Sequence, residues 1–210
     1  LIKQSDQLVR EGKFKEKSSL PDFYEIYNKN ILILGFGRIG KKLAERCIGF
    51  ESNVLVYDPF VDKKIIEEKN CYPVELEEGI KKADFISIHL PLNNDTKNMI
   101  DKKFLSMMKK NCVIVNAARG GIINEMDLHW ALSNNKIYGA AIDVYENEPP
   151  DINNALFNLS NIVFSPHNAA LTLECRKRMA FEACENIFNY LDNKTNLKKE
   201  NIVNNKFINL

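Results

Sequence analysis

Residues 31–40 read Ile-Leu-Ile-Leu-Gly-Phe-Gly-Arg-Ile-Gly, an apolar run that breaks into three glycines at G-x-G-x-x-G spacing. Four aliphatic side chains in succession, without polar alternation, suit a strand buried on both faces. The glycines then have separate tasks. Gly35 makes the tight turn, Gly37 lets the backbone approach a pyrophosphate, and Gly40 lets helix and strand close up. Downstream, Ile39, Leu43, Ala44, Cys47 and Ile48 recur at the spacing of one helical face. Strand, glycine turn and helix together open a dinucleotide site, with N–H groups near Arg38 and Ile39 facing the phosphates at the positive end of the helix dipole.

The pattern repeats along the chain. Apolar, β-branched runs at Val54 to Tyr57, Phe85 to His89, Val113 to Asn116, Ala140 to Val144 and Ile162 to Phe164 alternate with helical segments. Such alternation predicts an α/β fold, a Rossmann-type doubly wound parallel sheet. Asn124, three residues before Asp127, is placed to cap a helix that ends near Asn134. Residues 1–12 and about 171–191 read as amphipathic helices outside the alternation, either closing the sheet's faces or reaching toward a second domain. Asp58 ends the second run, 21 residues after Gly37. Alone it would read as a turn residue before Pro59; downstream of the glycines its carboxylate is placed to accept both ribose hydroxyls. A 2′-phosphate would meet that charge with no arginine among Pro59, Phe60 and Val61, so the expected cofactor is NAD and not NADP.

Composition narrows the partners. Among 210 residues, 29 Lys+Arg against 28 Asp+Glu leave a formal charge of +1, which gives no basic surplus for nucleic acid. No run of about 18 apolar residues offers a membrane span, and the opening segment is too polar for a signal peptide, so a cytoplasmic protein is expected. Five scattered cysteines without a C-x-x-C pair read as buried thiols, with no metal site expected.

Later motifs add a resemblance. GFGRIG at 35–40, VYDPF at 56–60, ADFISIHLPLNNDTKNMI at 83–100, VIVNAARGGIINEMDL at 113–128, GAAIDVYENEPP at 139–150 and SPHNAALT at 165–172 resemble, in order, the segments of the D-isomer-specific 2-hydroxyacid dehydrogenases. The resemblance implies that Arg119 holds the substrate's carboxylate and carbonyl oxygen. It also implies that His167 is the acid/base and that Glu148 pairs with it. Asp143 matches the position on the nicotinamide side, and His89, Leu90, Pro91, Ala117, Ala118, Ala169 and Ala170 match segments lining the cofactor. A homodimer paired through the cofactor domains is implied too, and the partner molecule is a small 2-hydroxy or 2-keto acid.

The chemistry gives independent reasons for these residue types. Oxidising a 2-hydroxy acid needs a base for the hydroxyl proton, imidazole titrates in the useful range, and a carboxylate beside it stabilises the imidazolium. Of the three histidines, His89 ends a strand and reads as a strand cap or cofactor wall, His129 lies within a helix beside Trp130, and His167 follows the last strand in a polar turn. His167 ranks first. Arg119, in a Gly-rich turn, could be a solvated charge, but it follows a buried strand at the edge where open α/β sheets bind ligands. Expected boundaries are 1–28 as helix and linker from a substrate domain, 29–170 as the NAD-binding domain, and 171–210 as the return to the substrate domain, ending in NIVNNKFINL. The front of the substrate domain is expected to lie before Leu1, and no regulatory domain is expected after Val203. The competing reading is a non-catalytic NAD(H)-binding module that senses cofactor state; it needs the glycines and Asp58 but not a paired His and Glu.

Overall fold

Neighbouring residues of β1 (Asn30–Leu34) are buried on opposite faces of one sheet. Ile31 and Ile33 pack with Ala44 and Cys47 of a helix over residues 38–49, whereas Leu32 meets Gly79 from a helix on the other side. A strand covered twice must be apolar at every position, which is why residues 31–34 show no alternation. The structure, a computed structural model, describes residues 2–192; Leu1 and the NIVNNKFINL ending lie outside the described residues.

The chain divides into two compact units, Leu1–Val163 and Phe164–Leu210. The first opens with α1 (Ile2–Arg10) and a 3-10 turn over Phe14–Ser19. It continues through α2 (Arg38–Gly49), β2 (Asn53–Tyr57), α3 (Lys63–Glu67), β3 (Tyr72–Pro73), α4 (Leu76–Lys82) and β4 (Phe85–Ile88). Then follow α5 (Lys102–Met107), β5 (Val113–Asn116), α6 (Glu125–Ser133), β6 (Gly139–Ile142) and β7 (Ile162–Phe164), the last running up to the unit boundary. The seven strands form an all-parallel Rossmann-like sheet in the order β3-β2-β1-β4-β5-β6-β7. Because β1 pairs with β2 on one side and β4 on the other, in register at Ile31 with Val54 and with Phe85, the chain reverses direction across the sheet at β1. A crevice at the carboxyl ends of β1 and β4 follows from that reversal.

Several expectations shift in detail. β4 stops at Ile88 and β6 runs from Gly139 to Ile142, so His89, Asp143 and Val144 lie in the turns after the strands. β3, two residues long at the sheet edge, carries no apolar run and is invisible in the sequence. Ile39, expected on the buried face of α2, is 70% exposed: in the first turn it is Gly40 that faces Gly35 and Ile33, which leaves Ile39 on the outer side of the helix start. Cys47, Cys71 and Cys112 are buried as expected, but Cys175 is half-buried and Cys184 exposed. Asn124 caps α6 through its side chain, accepting from the Asp127 N–H at 3.0 Å.

The second unit is described by α7 (Leu173–Leu191), started by the Thr172 hydroxyl accepting from the Cys175 N–H at 3.1 Å. None of its residues is buried. Among the described residues, no helix is long and apolar enough to cross a membrane.

Candidate active site

Parallel strands deliver their following turns to one edge, and the candidate residues of the first unit all stand there. Gly35 to Gly40 follow β1, Asp58 follows β2, His89 to Pro91 follow β4, Ala117 to Arg119 follow β5, and Asp143 and Glu148 follow β6.

The glycine turn divides its work as its spacing implies. Gly35 has φ +96°, and a Cβ there would lie 2.8 Å from the His89 carbonyl oxygen and 3.2 Å from Leu90. The β1 and β4 turns are therefore in contact across the crevice. A Cβ on Gly40 would collide with the Gly35 carbonyl oxygen, so α2 can begin against the turn only without a side chain. Gly37 is the exception, exposed, with nothing within 4 Å of where its Cβ would be. No packing demands a glycine there. The open space above Gly37, beside the exposed start of α2 at Arg38 and Ile39, fits a dinucleotide pyrophosphate against helix N–H groups.

Asp58 does two jobs. One carboxylate oxygen accepts from the Phe36 N–H at 2.7 Å and the other from the Phe60 N–H at 2.9 Å, which ties the glycine turn to the end of β2. The turn role is observed and leaves room for the ribose role expected from the sequence, since each oxygen keeps a second lone pair for a hydroxyl. His89 is half-buried, its Nε2 lies 2.9 Å from the Ser87 hydroxyl, and burial pushes its pKa down. Its place after β4, held against Ser87, fits the strand cap or cofactor wall expected from the sequence. His129 meets Ser133 within α6, consistent with a local structural role.

Arg119 is exposed, and its Nη1 donates to the Ala118 carbonyl at 2.6 Å. Two residues that the sequence does not single out hold this turn. Asn116, 2% exposed, donates from Nδ2 to the Arg119 carbonyl at 2.9 Å and accepts at Oδ1 from the Ala118 N–H at 3.0 Å. Gly120 lies against the Tyr145 backbone so closely that a Cβ would collide with the Tyr145 carbonyl. Tyr145 in turn donates its N–H to Glu148 Oε1 at 3.1 Å. The Arg119 and Glu148 turns are thereby brought together through Gly120 and Tyr145. The only sequence signal for Asn116 is a polar residue closing the apolar run Val113 to Val115. Asp143 is buried at 5% exposure, and its N–H donates to the Asn116 carbonyl at 2.9 Å.

In the second unit, His167 is exposed and has φ 51°, a left-handed backbone that non-glycine residues seldom adopt. Ala169 and Ala170 are exposed beside it, and the Asn168 carbonyl accepts from the Leu171 N–H at 2.9 Å to close the turn before α7.

Comparison with known proteins agrees with this architecture. Residues 1–169 match the profile of the D-isomer specific 2-hydroxyacid dehydrogenase NAD-binding domain. D-3-phosphoglycerate dehydrogenase of Archaeoglobus fulgidus is 39% identical over 188 residues, 90% of this chain and 35% of that protein. Hydroxypyruvate reductase of Thermotoga maritima is 36% identical over 188 residues, 87% of this chain and 59% of its own length. Among solved structures, D-lactate dehydrogenase of Aquifex aeolicus complexed with NAD and lactic acid superposes with a TM-score of 0.83 at 26% identity, covering 95% of this chain and 64% of that one. The chain thus spans between 35% and 59% of the length of these two curated relatives. With an NAD-binding profile over most of its length and an all-parallel sheet switching direction at the glycine turn, the chain belongs to the D-isomer specific 2-hydroxyacid dehydrogenase family and carries its NAD-binding domain.

Proposed function

We propose that the protein is an NAD-dependent oxidoreductase that interconverts a D-2-hydroxy acid and its 2-keto acid. The observation that carries this reading is the packing of the Arg119 turn onto the Glu148 turn at the same sheet edge as the glycine loop. A cofactor sensor would need only Gly35 to Gly40 and Asp58, and would leave that second constellation without a task.

When bound, NAD supplies the carbon that exchanges hydride with C2 of the substrate. Gly37 and the start of α2 would receive its pyrophosphate, Asp58 its adenosine ribose, and the Gly35, His89 and Leu90 contacts would floor the crevice, with Asp143 on the nicotinamide side. The remaining cofactor contacts in this reading are Pro91, Ala117, Ala118, Ala169 and Ala170. Arg119 offers a planar fork of donors that matches a carboxylate, and its charge polarises the neighbouring carbonyl oxygen. His167 takes the hydroxyl proton in oxidation and returns it in reduction, and Glu148 steadies the imidazolium that forms in between. Residues 171–210 go with a substrate domain in this reading, and the protein pairs as a homodimer through its cofactor domains.

The test is His167→Asn in the full-length protein, assayed by NADH absorbance with hydroxypyruvate, glyoxylate, pyruvate and phosphohydroxypyruvate. Removing a general acid/base is expected to cost about 10²–10⁴-fold in turnover while NADH affinity stays the same. Unchanged turnover would overturn the assignment.

A further inference from the structure

We infer that Asn116 is the positioning residue for Arg119: its carboxamide fixes the turn from which the guanidinium is presented. The inference rests on the proposed role of Arg119 as substrate anchor and adds the group through which that role is set. Asn116 ends β5 and is 2% exposed, a costly place for a carboxamide unless its donors and acceptors are used. Both ends of it are spent on the next three residues, with Nδ2 on the Arg119 carbonyl at 2.9 Å and Oδ1 on the Ala118 N–H at 3.0 Å. The guanidinium is then tied to that same backbone, because Arg119 Nη1 donates to the Ala118 carbonyl at 2.6 Å. Beyond the turn, Gly120 wedges against the Tyr145 backbone, and the Tyr145 N–H bonds Glu148 Oε1. The turn is thus clamped from the strand side by Asn116 and from the Glu148 side by Tyr145. Movement of its backbone would carry the fork away from the substrate carboxylate, and a misplacement of about 1 Å can cost 10²-fold in rate.

An ionised aspartate has nearly the same shape but only acceptors, so Asn116→Asp removes the bond to the Arg119 carbonyl and opposes two oxygens instead. The experiment is a double-mutant cycle in the full-length protein. Asn116→Asp is made in the native and in the Arg119→Ala background and followed by steady-state NADH oxidation with the preferred keto acid. Fluorescence titration of NADH and thermal unfolding accompany each variant. In the native background, kcat/KM is expected to fall about 10–100-fold, chiefly through a raised KM for the keto acid, while NADH affinity holds within about twofold. In the Arg119→Ala background the further change should be below about twofold, since a group acting through Arg119 has nothing left to position. A crippled Arg119→Ala that loses the same factor again on adding Asn116→Asp would sink the inference and leave the anchor role standing. An Arg119→Ala enzyme with native turnover would sink both. If Asn116→Asp does not fold, Asn116→Ser, whose hydroxyl can still accept from Ala118, carries the same cycle; if neither folds, Asn116 is a stability residue and the inference fails.

Discussion

Gly37 and Gly40 stand three residues apart and obey opposite constraints. A Cβ on Gly40 runs into the Gly35 carbonyl, which is backbone and cannot step aside, whereas a Cβ on Gly37 meets nothing within 4 Å. Gly40→Ala is therefore expected to destabilise the fold by about 1–3 kcal/mol, read as a lowered Tm by circular dichroism. Gly37→Ala should leave Tm unchanged yet weaken NADH by about 5–150-fold, the same steric cost transferred to the cofactor. Equal effects of the two on Tm would refute the division of labour. The glycines were legible because the spacing G-x-G-x-x-G encodes backbone approach directly. Asn116 was not, because the worth of a carboxamide depends on where the following backbone turns, and the sequence does not give that. The sequence offers Asp58 as a turn residue before Pro59, which its bond to the Phe60 N–H reflects, but not as the brace that reaches back to the Phe36 N–H.

At the scale of elements, the sheet's amino edge depends on a charge that the sequence hides among surface ions. Asp84, just before β4, accepts from the Asn30 N–H at 2.9 Å and from Lys109 Nζ at 2.8 Å, with its side chain 14% exposed. Burial pushes its carboxyl up, but the bonds from Lys109 and Asn30 outweigh this and hold it below the usual carboxylate range. The sign follows from that depression: the contribution is present above the unfolded value of about 3.9 and is lost as pH falls through the folded value. Asp84→Asn should cost about 1–3 kcal/mol at neutral pH and flatten the acid limb below pH 4, measured by denaturant unfolding across pH. His89 adds an earlier loss. Burial lowers its pKa, so stability declines as pH drops from about 6.5 toward the folded value, and His89→Gln should remove that slope. Six strands were legible as apolar runs because burial on both faces forces the composition. β3 escaped because two residues at an edge bury almost nothing, and strand ends slipped because apolar residues continue into buried turns such as Val144 and Tyr145.

At the scale of the molecule, the residues proposed for the adenosine half of the cofactor and those proposed for turnover fall in different turns. The contacts proposed for the adenosine half come from the turns after β1 and β2, which touch through Asp58 and Phe36 in a single continuous core. In the first unit those proposed for the reacting half come from the turns after β5 and β6, and in the second His167 precedes α7. Strand order, which creates the crevice beside β1, was not legible in the sequence, because pairing depends on long-range contacts that periodicity does not record. The amphipathic face of α7 was legible, but not its cover. Within the second unit, Phe181, Phe188 and Leu191 of α7 are 70%, 64% and 68% exposed. The 210-residue chain mixed with NADH is therefore expected to show saturable fluorescence binding. NADPH should bind at least about tenfold more weakly, since at the proposed ribose site its 2′-phosphate would meet the Asp58 carboxylate, and like charges about 4 Å apart repel by over 1 kcal/mol at a protein surface. Equal affinity for the two would remove Asp58 from the ribose site, and a folded circular dichroism spectrum with no NADH binding would overturn the reading of Gly35 to Gly40. Loss of NADH absorbance with one keto acid would place the reacting contacts within these 210 residues, whereas binding without loss would assign part of the substrate's grip to residues outside them.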